Sequence, residues 1–175
     1  PGVFSTRIAA IRKTKEGREL VLYDVDGKGA QVLLSEKLLI LMPAWRPDGK
    51  ALLVTSYRNG RPELWTYRLA DRSFRKLLSV GSLTMGGAWS PDGSKIAFTA
   101  SQGGGTTDVW VADADGGNAR RLTREPSDDL SPTWSPDGKR IAFVSNRAGS
   151  PQIYVMNADG SAPRRVTFQG NYNQT

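Results

Sequence analysis

The chain contains the pentapeptide WSPDG twice, at Trp89–Gly93 and Trp134–Gly138, and the near-copy WRPDG once, at Trp45–Gly49. The three tryptophans follow one another at intervals of about 45 residues, a period typical of β-propellers and of helical repeat arrays. One short motif at this spacing predicts a chain built from repeated units, and the residues around the motif distinguish the two architectures.

Each copy of the motif predicts a tight turn followed by a β-strand. Proline presets φ, aspartate caps the turn, and glycine adopts the left-handed conformation. Next comes a short apolar run rich in β-branched and aromatic side chains, which is typical of a strand. These runs are ALLVTS (Ala51–Ser56), IAFTAS (Ile96–Ser101) and IAFVS (Ile141–Ser145).

Two more strands complete each unit. A polar loop leads into a second apolar run, a turn reverses the chain, and a short basic strand closes the unit. The second runs are ELWTYRL (Glu63–Leu69), DVWVADA (Asp108–Ala114) and QIYVMNA (Gln152–Ala158), and the closing strands are FRKLL (Phe74–Leu78), ARRLT (Ala119–Thr123) and PRRVT (Pro163–Thr167). With the strand that ends at the tryptophan, each unit has four antiparallel strands, which form one propeller blade.

We therefore predict an all-β fold, a β-propeller of four-stranded antiparallel blades with about four blades present. No stretch of about ten residues keeps a helical period. The blades are predicted at 36–78, 79–123 and 124–167. Residues 1–35 form an incomplete further copy without the motif, and 168–175 are predicted to start the next blade.

The motif residues are predicted to be structural. A tryptophan at the end of an inner strand can wedge between neighbouring blades, where packing must be dense. The aspartates and glycines that follow are turn residues. This structural set consists of Trp45, Trp89, Trp134, Asp48, Asp92, Asp137, Gly49, Gly93 and Gly138.

Composition excludes several kinds of catalysis. The chain has no cysteine and no histidine, so it cannot supply a thiolate nucleophile, an imidazole metal ligand or a triad that uses histidine. The DVDG and DADG stretches (Asp24–Gly27, Asp113–Gly116) resemble the start of a calcium loop but lack its glutamate at the twelfth position, which favours hairpin turns. We predict no enzyme activity, no cofactor and no metal site.

The charge and hydropathy patterns bear on partners. The net charge is +7, from 24 basic and 17 acidic residues. The basic residues recur as pairs at one place in each unit, which favours a solvated outer strand and argues against nucleic acid as a partner. No apolar run approaches the roughly 18 residues of a membrane helix, so no direct membrane insertion is predicted.

Longer stretches carry a family resemblance. WSPDGKRIAFVSNRAGSPQIYVMNADGSAPRRVTFQG (Trp134–Gly170) and the opening STRIAAI (Ser5–Ile11) resemble the propeller of the TolB family. The resemblance implies a six-bladed propeller behind a smaller α/β domain, of which this chain would be a fragment. It also implies a non-catalytic periplasmic component of the Tol–Pal envelope system, whose partners are a Pal-type lipoprotein and other Tol proteins.

The resemblance also implies a partner site in the residues just before the inner-strand tryptophans. Carried over by motif, these residues are Leu83, Thr84, Gly86, Leu130 and Ser131. The loops between blades and the loops between second and third strands share one face, and loops on a rigid scaffold commonly bind partners. The alternative is that these stretches are ordinary linkers.

Two further interpretations remain open at this stage. WSPDG repeats also occur in propellers attached to prolyl-oligopeptidase-like serine peptidases, so the chain could be a substrate-gating propeller that lacks its catalytic domain. Self-association through open blade faces is also expected, because apolar side chains mark both ends of the arc. These are Ile8, Ile11, Leu20, Leu22, Val32 and Leu34 at one end, and Ile141, Phe143, Ile153, Tyr154 and Val166 at the other.

Overall fold

The computed structural model of the chain describes residues 6–103, 105–170 and 172–173, which contain fifteen β-strands and no helix. Blade 1 has the three strands β1 (Arg7–Lys13), β2 (Arg18–Asp24) and β3 (Gln31–Glu36). Blade 2 has β4 (Ile40–Trp45), β5 (Ala51–Ser56), β6 (Glu63–Arg68) and β7 (Phe74–Leu78). Blade 3 has β8 (Leu83–Trp89), β9 (Lys95–Ser101), β10 (Asp108–Asp113) and β11 (Arg120–Arg121). Blade 4 has β12 (Asp129–Trp134), β13 (Arg140–Ser145), β14 (Gln152–Asn157) and β15 (Arg164–Arg165).

Within each blade every strand pairs antiparallel with the next strand in sequence, so each sheet is a simple meander. The predicted all-β propeller of antiparallel blades is confirmed, with four strands in blades 2, 3 and 4 and three in the described part of blade 1. No helix long and apolar enough to cross a bilayer occurs in the described ranges.

The hydrophobic core lies between blades rather than within one of them. At the junction of blades 2 and 3, Leu53 and Leu64 pack in one cluster with Trp89, Phe98 and Trp110. Similar clusters join blade 1 to blade 2 and blade 3 to blade 4. Each blade therefore depends on its neighbour to bury its apolar side, as expected for a repeat protein.

Five of the eleven residues predicted to form apolar open ends are instead buried, and for these the prediction is wrong. Leu20 and Leu22 pack against blade 2, while Ile141 and Phe143 pack against blade 3. Side chains alternate across a strand, so only every second residue of a terminal blade faces outward. At the first end these include Ile8 and Val32, which are exposed.

The closing strands β11 and β15 are shorter than predicted, because a threonine hydroxyl interrupts the ladder. Thr123 Oγ1 accepts the amide of Val109 at 3.0 Å, and Thr167 Oγ1 accepts the amide of Ile153 at 2.9 Å. These side chains take main-chain donors that a longer strand would use. The stretch predicted to start the next blade contains no strand in 168–170 and 172–173, and its other residues lie outside the described ranges.

The motif turns that follow the inner strands have the glycine conformation and the aspartate hydrogen bonds that the sequence predicts. Gly49, Gly93 and Gly138 have φ of 69°, 70° and 68°. The turn aspartates Asp48, Asp92 and Asp137 each accept the amide two residues further on, at 3.0, 3.0 and 3.1 Å. The DVDG and DADG stretches are hairpin turns of the same kind.

Candidate partner-binding face

The meander divides the loops between two ends of the propeller. The upper face carries the loops before the inner strands and those between second and third strands. Its described members are 37–39, 79–82, 122–128, 57–62, 102–103, 105–107 and 146–151. The lower face carries the motif turns and the turns between third and fourth strands, so the predicted turn residues and the predicted partner site lie at opposite ends of the inner strands.

The predicted partner residues lie within inner strands and not in the loops before them. Leu83, Thr84 and Gly86 belong to β8, and Leu130 and Ser131 belong to β12. They lie in the halves of these strands that are nearer the upper face, away from the motif turns. The linker alternative therefore does not describe these positions.

Thr84 has no surface to offer a partner. Its side chain is fully buried, and its hydroxyl donates to the carbonyl oxygen of Val80 at 2.9 Å and accepts the Val80 amide at 2.7 Å. Thr84 therefore closes the loop between blades 2 and 3. Leu83 and Leu130 are partly exposed, and Ser131 is exposed.

A bulge at the same position interrupts the three inner strands of blades 2 to 4. Three residues before each tryptophan, Met42, Gly86 and Ser131 have φ of 54°, 61° and 51°. At each site the register with the second strand shifts. Such bulges bend the strand and re-aim side chains, and here they mark equivalent positions around the propeller axis.

The bulges of blades 3 and 4 are tied to the preceding blade by buried threonines. The amide of Gly86 donates to Thr55 Oγ1 at 3.1 Å, and the amide of Ser131 donates to Thr99 Oγ1 at 3.2 Å. Both threonines are buried on second strands. The backbone of the predicted partner site is therefore held rigidly by the neighbouring blade.

Sequence reasoning missed three exposed apolar residues of this face. Leu38, Leu39 and Met42 are 49%, 40% and 48% exposed. A Cβ built on Gly86 would lie 3.4 Å from the sulfur of Met42, so this side chain lies beside the next inner strand. Leu39 and Met42 have the same offsets from Trp45 as Leu83 and Gly86 have from Trp89, and this spacing was the available signal.

Ion pairs at the rim keep the surrounding loops in place. Arg147 donates to Asp129 at 2.8 Å and lies over the rings of Phe143 and Tyr154. In blade 2 the equivalent arginine, Arg58, pairs with a glutamate at 3.3 Å and covers two rings in the same way. Such cation–π contacts fix long side chains and leave the apolar inner strands as the accessible surface.

Two buried carboxylates at the start of third strands are held differently. Burial raises the pKa of Glu63, but hydrogen bonds from Lys76 and Asn59 outweigh it, so this pKa lies below its usual value. Burial raises the pKa of Asp108, and the ion pair with Arg121 at 2.6 Å only partly opposes that effect. These acids anchor closing strands and do not face a common cavity.

The adjacent acids Asp128 and Asp129 are used structurally. Asp128 accepts both the amide and the hydroxyl of Thr107, and Asp129 pairs with Arg147. In the part of the chain that the structure describes, no three acidic side chains gather in a way that could hold a metal ion. The face thus offers apolar contact on a rigid frame, which suits binding of another protein.

Comparison with known proteins agrees with this class, a propeller built from sequence repeats. The family described as TolB beta propeller domain matches residues 1–175. The chain therefore belongs to the TolB β-propeller family.

Curated relatives are similar in sequence over most of the chain. The Tol-Pal system protein TolB of Anaeromyxobacter dehalogenans (strain 2CP-C) is 63% identical over 129 residues, or 74% of this chain. A protein with the same description from Anaeromyxobacter sp. (strain K) is also 63% identical over 129 residues. In both cases the match spans 29% of the relative's length.

Solved structures show the same architecture. TolB from Acinetobacter baumannii superposes with a TM-score of 0.90 at 33% identity, over 99% of this chain and 44% of that protein. A putative TolB from Agrobacterium tumefaciens gives a TM-score of 0.82 at 23% identity, over 90% and 59% of the two chains. A prolyl endopeptidase structure matches with a TM-score of 0.68 at 14% identity, over 94% of this chain and 28% of that protein. This likeness shows the fold alone.

Proposed function

We propose that this chain is the non-catalytic propeller of a Tol–Pal system protein, and that it acts in the periplasm by binding a Pal-type lipoprotein through its upper face. Other Tol proteins are further partners under this proposal. The relatives at 63% identity are described as Tol-Pal system proteins, which supports the assignment of the system.

One observation carries the proposed site. The side chains of Leu38, Leu39 and Met42 are exposed, and Met42 lies beside Gly86 of the adjacent inner strand, at the position where both strands are bent by a bulge. Exposed apolar patches rimmed by polar groups mark protein interaction sites. The Arg58 ion pair lies beside this patch, because the amide of the preceding Tyr57 donates to the carbonyl oxygen of Leu39.

The test measures binding of a Pal-type periplasmic domain by calorimetry. Met42→Glu and Leu130→Arg are expected to weaken binding at least tenfold, because each places a charge in an apolar contact. Val25→Glu is the matched control, since Val25 is 42% exposed but lies in a lower-face turn. Thermal unfolding of each variant checks that the fold is intact.

The proposal fails if both upper-face variants bind with an unchanged dissociation constant while they remain folded. Equal losses in Val25→Glu would point to the lower face instead. Covalent labelling by a fluorophosphonate probe that follows protein concentration would overturn the non-catalytic assignment.

A further inference from the structure

The junctions between blades open on the lower face, and one of them contains a stacked cation. At the junction of blades 2 and 3, the guanidinium of Arg46 lies over the Trp89 ring, 5.4 Å from its centroid. Its Nη1 lies 3.6 Å from Asp48 Oδ2 in the same turn. A Cβ built on Gly93 would lie 3.5 Å from Arg46 Nε, so this side chain lies between the ring and the next motif turn. It borders a cavity of about 410 Å³ that Trp89 also lines, and its guanidinium occupies the face of the ring.

The junction of blades 3 and 4 has the same frame without the cation. Serine replaces arginine at the equivalent position, Ser90, and a Cβ built on Gly138 would meet only Pro91, at 3.6 Å. A cavity of about 400 Å³ lies here, lined by Ser90, Asp92, Trp134 and Asp137 among others. Trp134 remains partly exposed, whereas Trp89 is only 9% exposed.

The charges around this cavity favour a cation. Asp92 and Asp137 line it, and neither has an ion-pair partner in the described ranges. The two basic residues of the lining are already engaged. Lys95 pairs with Asp113 at 2.8 Å, and Arg120 donates to the carbonyl oxygen of Asp159 at 3.1 Å.

We propose that the cavity between blades 3 and 4 binds an arginine side chain of a partner protein, stacked on Trp134 and paired with Asp92. Arg46 on Trp89 shows the geometry, because Asp92 follows Ser90 by two residues as Asp48 follows Arg46. A planar guanidinium can stack and pair at once, which an ammonium group does less well. This site lies on the lower face and is separate from the proposed lipoprotein site.

The test follows the indole N–H signal of Trp134 by NMR while the peptide acetyl-Gly-Arg-Gly-amide is added to the 175-residue chain. A saturable shift is expected, and acetyl-Gly-Lys-Gly-amide is expected to bind roughly fivefold more weakly. Sodium chloride at equal ionic strength controls for a general ionic effect.

Ser90→Arg is expected to weaken binding of the arginine peptide at least tenfold, because the new side chain would occupy the cavity between blades 3 and 4. The turn accepts arginine, since Arg46 and Ser90 make the same two main-chain hydrogen bonds. Ser135→Arg is the matched control: as Arg46 reaches towards the tryptophan of the next blade, an arginine at 135 would extend away from blade 3 and from the cavity, so binding should be unchanged.

Arg46→Ser supplies an independent arm that does not depend on the folding of the Ser90 variant. It should open a second saturable site, reported by the Trp89 indole signal. The proposal is overturned if Trp134 shows no saturable shift up to about 50 mM peptide, a range that covers single side-chain contacts. It is equally overturned if a folded Ser90→Arg variant binds like the parent, or if Arg46→Ser adds no site.

Discussion

The indole Nε1 of Trp134 donates a 3.1 Å hydrogen bond to the carbonyl oxygen of Ala88, across the junction between blades 3 and 4. Ala88 directly precedes Trp89, so the end of one inner strand accepts a hydrogen bond from the ring that ends the next. The tryptophan of the motif therefore joins blades by a polar contact as well as by packing. Trp89 packs one junction earlier, against Leu53 and Leu64 of blade 2.

Replacing these tryptophans should destabilise the chain unequally. Trp89→Ala should lower the free energy of unfolding by about 3–5 kcal/mol, as for other buried aromatic side chains. For Trp134→Ala the loss in the free energy of unfolding should lie at or below the lower end of that range, because the Trp134 ring is partly exposed. Urea denaturation measures both, and an unchanged midpoint for Trp89→Ala would refute the junction role.

The threonines under the bulges offer a second test. Thr55→Val and Thr99→Val should each lower the free energy of unfolding by about 1–2 kcal/mol, since a buried amide loses its acceptor. Valine fits sterically, because Val144 occupies the equivalent buried position in blade 4. Thr133→Val, at an exposed site in β12, is the control and should change stability little. Equal effects in all three variants would contradict the assigned hydrogen bonds.

Asp92 should make stability depend on pH in acid. Hydrogen bonds from the Ser90 hydroxyl, and from the amide and hydroxyl of Ser94, lower the pKa of Asp92 to about 2. The unfolded value is about 3.9, so folding favours the carboxylate. Its contribution to stability is complete above the unfolded pKa and is lost as the pH falls through the folded pKa of about 2.

Carboxyl ¹³C NMR titration checks this directly. In Ser90→Ala the pKa of Asp92 should rise towards the ordinary value, because the largest cause of its shift is removed. The difference in unfolding free energy between the parent and Asp92→Asn should shrink between about pH 4 and pH 2. A difference that stays constant over this range would show that the carboxylate does not matter.

The chain of 175 residues should self-associate at micromolar concentration. Ile8 and Val32 are exposed on the side of blade 1 that faces away from blade 2, and exposed apolar area of this kind favours association. Ile8→Lys with Val32→Lys should shift the molecular mass in analytical ultracentrifugation towards the monomer. A parent chain that sediments as a stable monomer would show that this surface is tolerated.

Much of the fold could be predicted because the repeat is explicit in the sequence. WSPDG encodes a turn by residue type alone, and the runs that follow have strand composition, so the second and third strands of blades 2 to 4 were placed within a residue or two. The weaker predictions concern side-chain direction. Ile141 and Phe143 were expected at an open face, but their burial depends on which way the strand presents them.

The site was harder to predict, because its form depends on contacts between blades. Nothing in the residue types of Met42 or Ser131 indicates a positive φ, since this conformation is common only for glycine, asparagine and aspartate. The bulge is held by a threonine more than thirty residues away in sequence. The burial of Thr84 likewise arises from a loop contact that no local pattern specifies.

The bulge position also separates what the chain must keep from what it can change. At Met42, Gly86 and Ser131 the backbone is bent in the same way, although the first residue has a long side chain, the second has none and the third has a short polar one. Substitution there can alter the chemistry displayed around the axis while leaving the blade packing intact. Specificity for a new partner could therefore be engineered by recombining three single residues, each one repeat apart, without redesign of the scaffold.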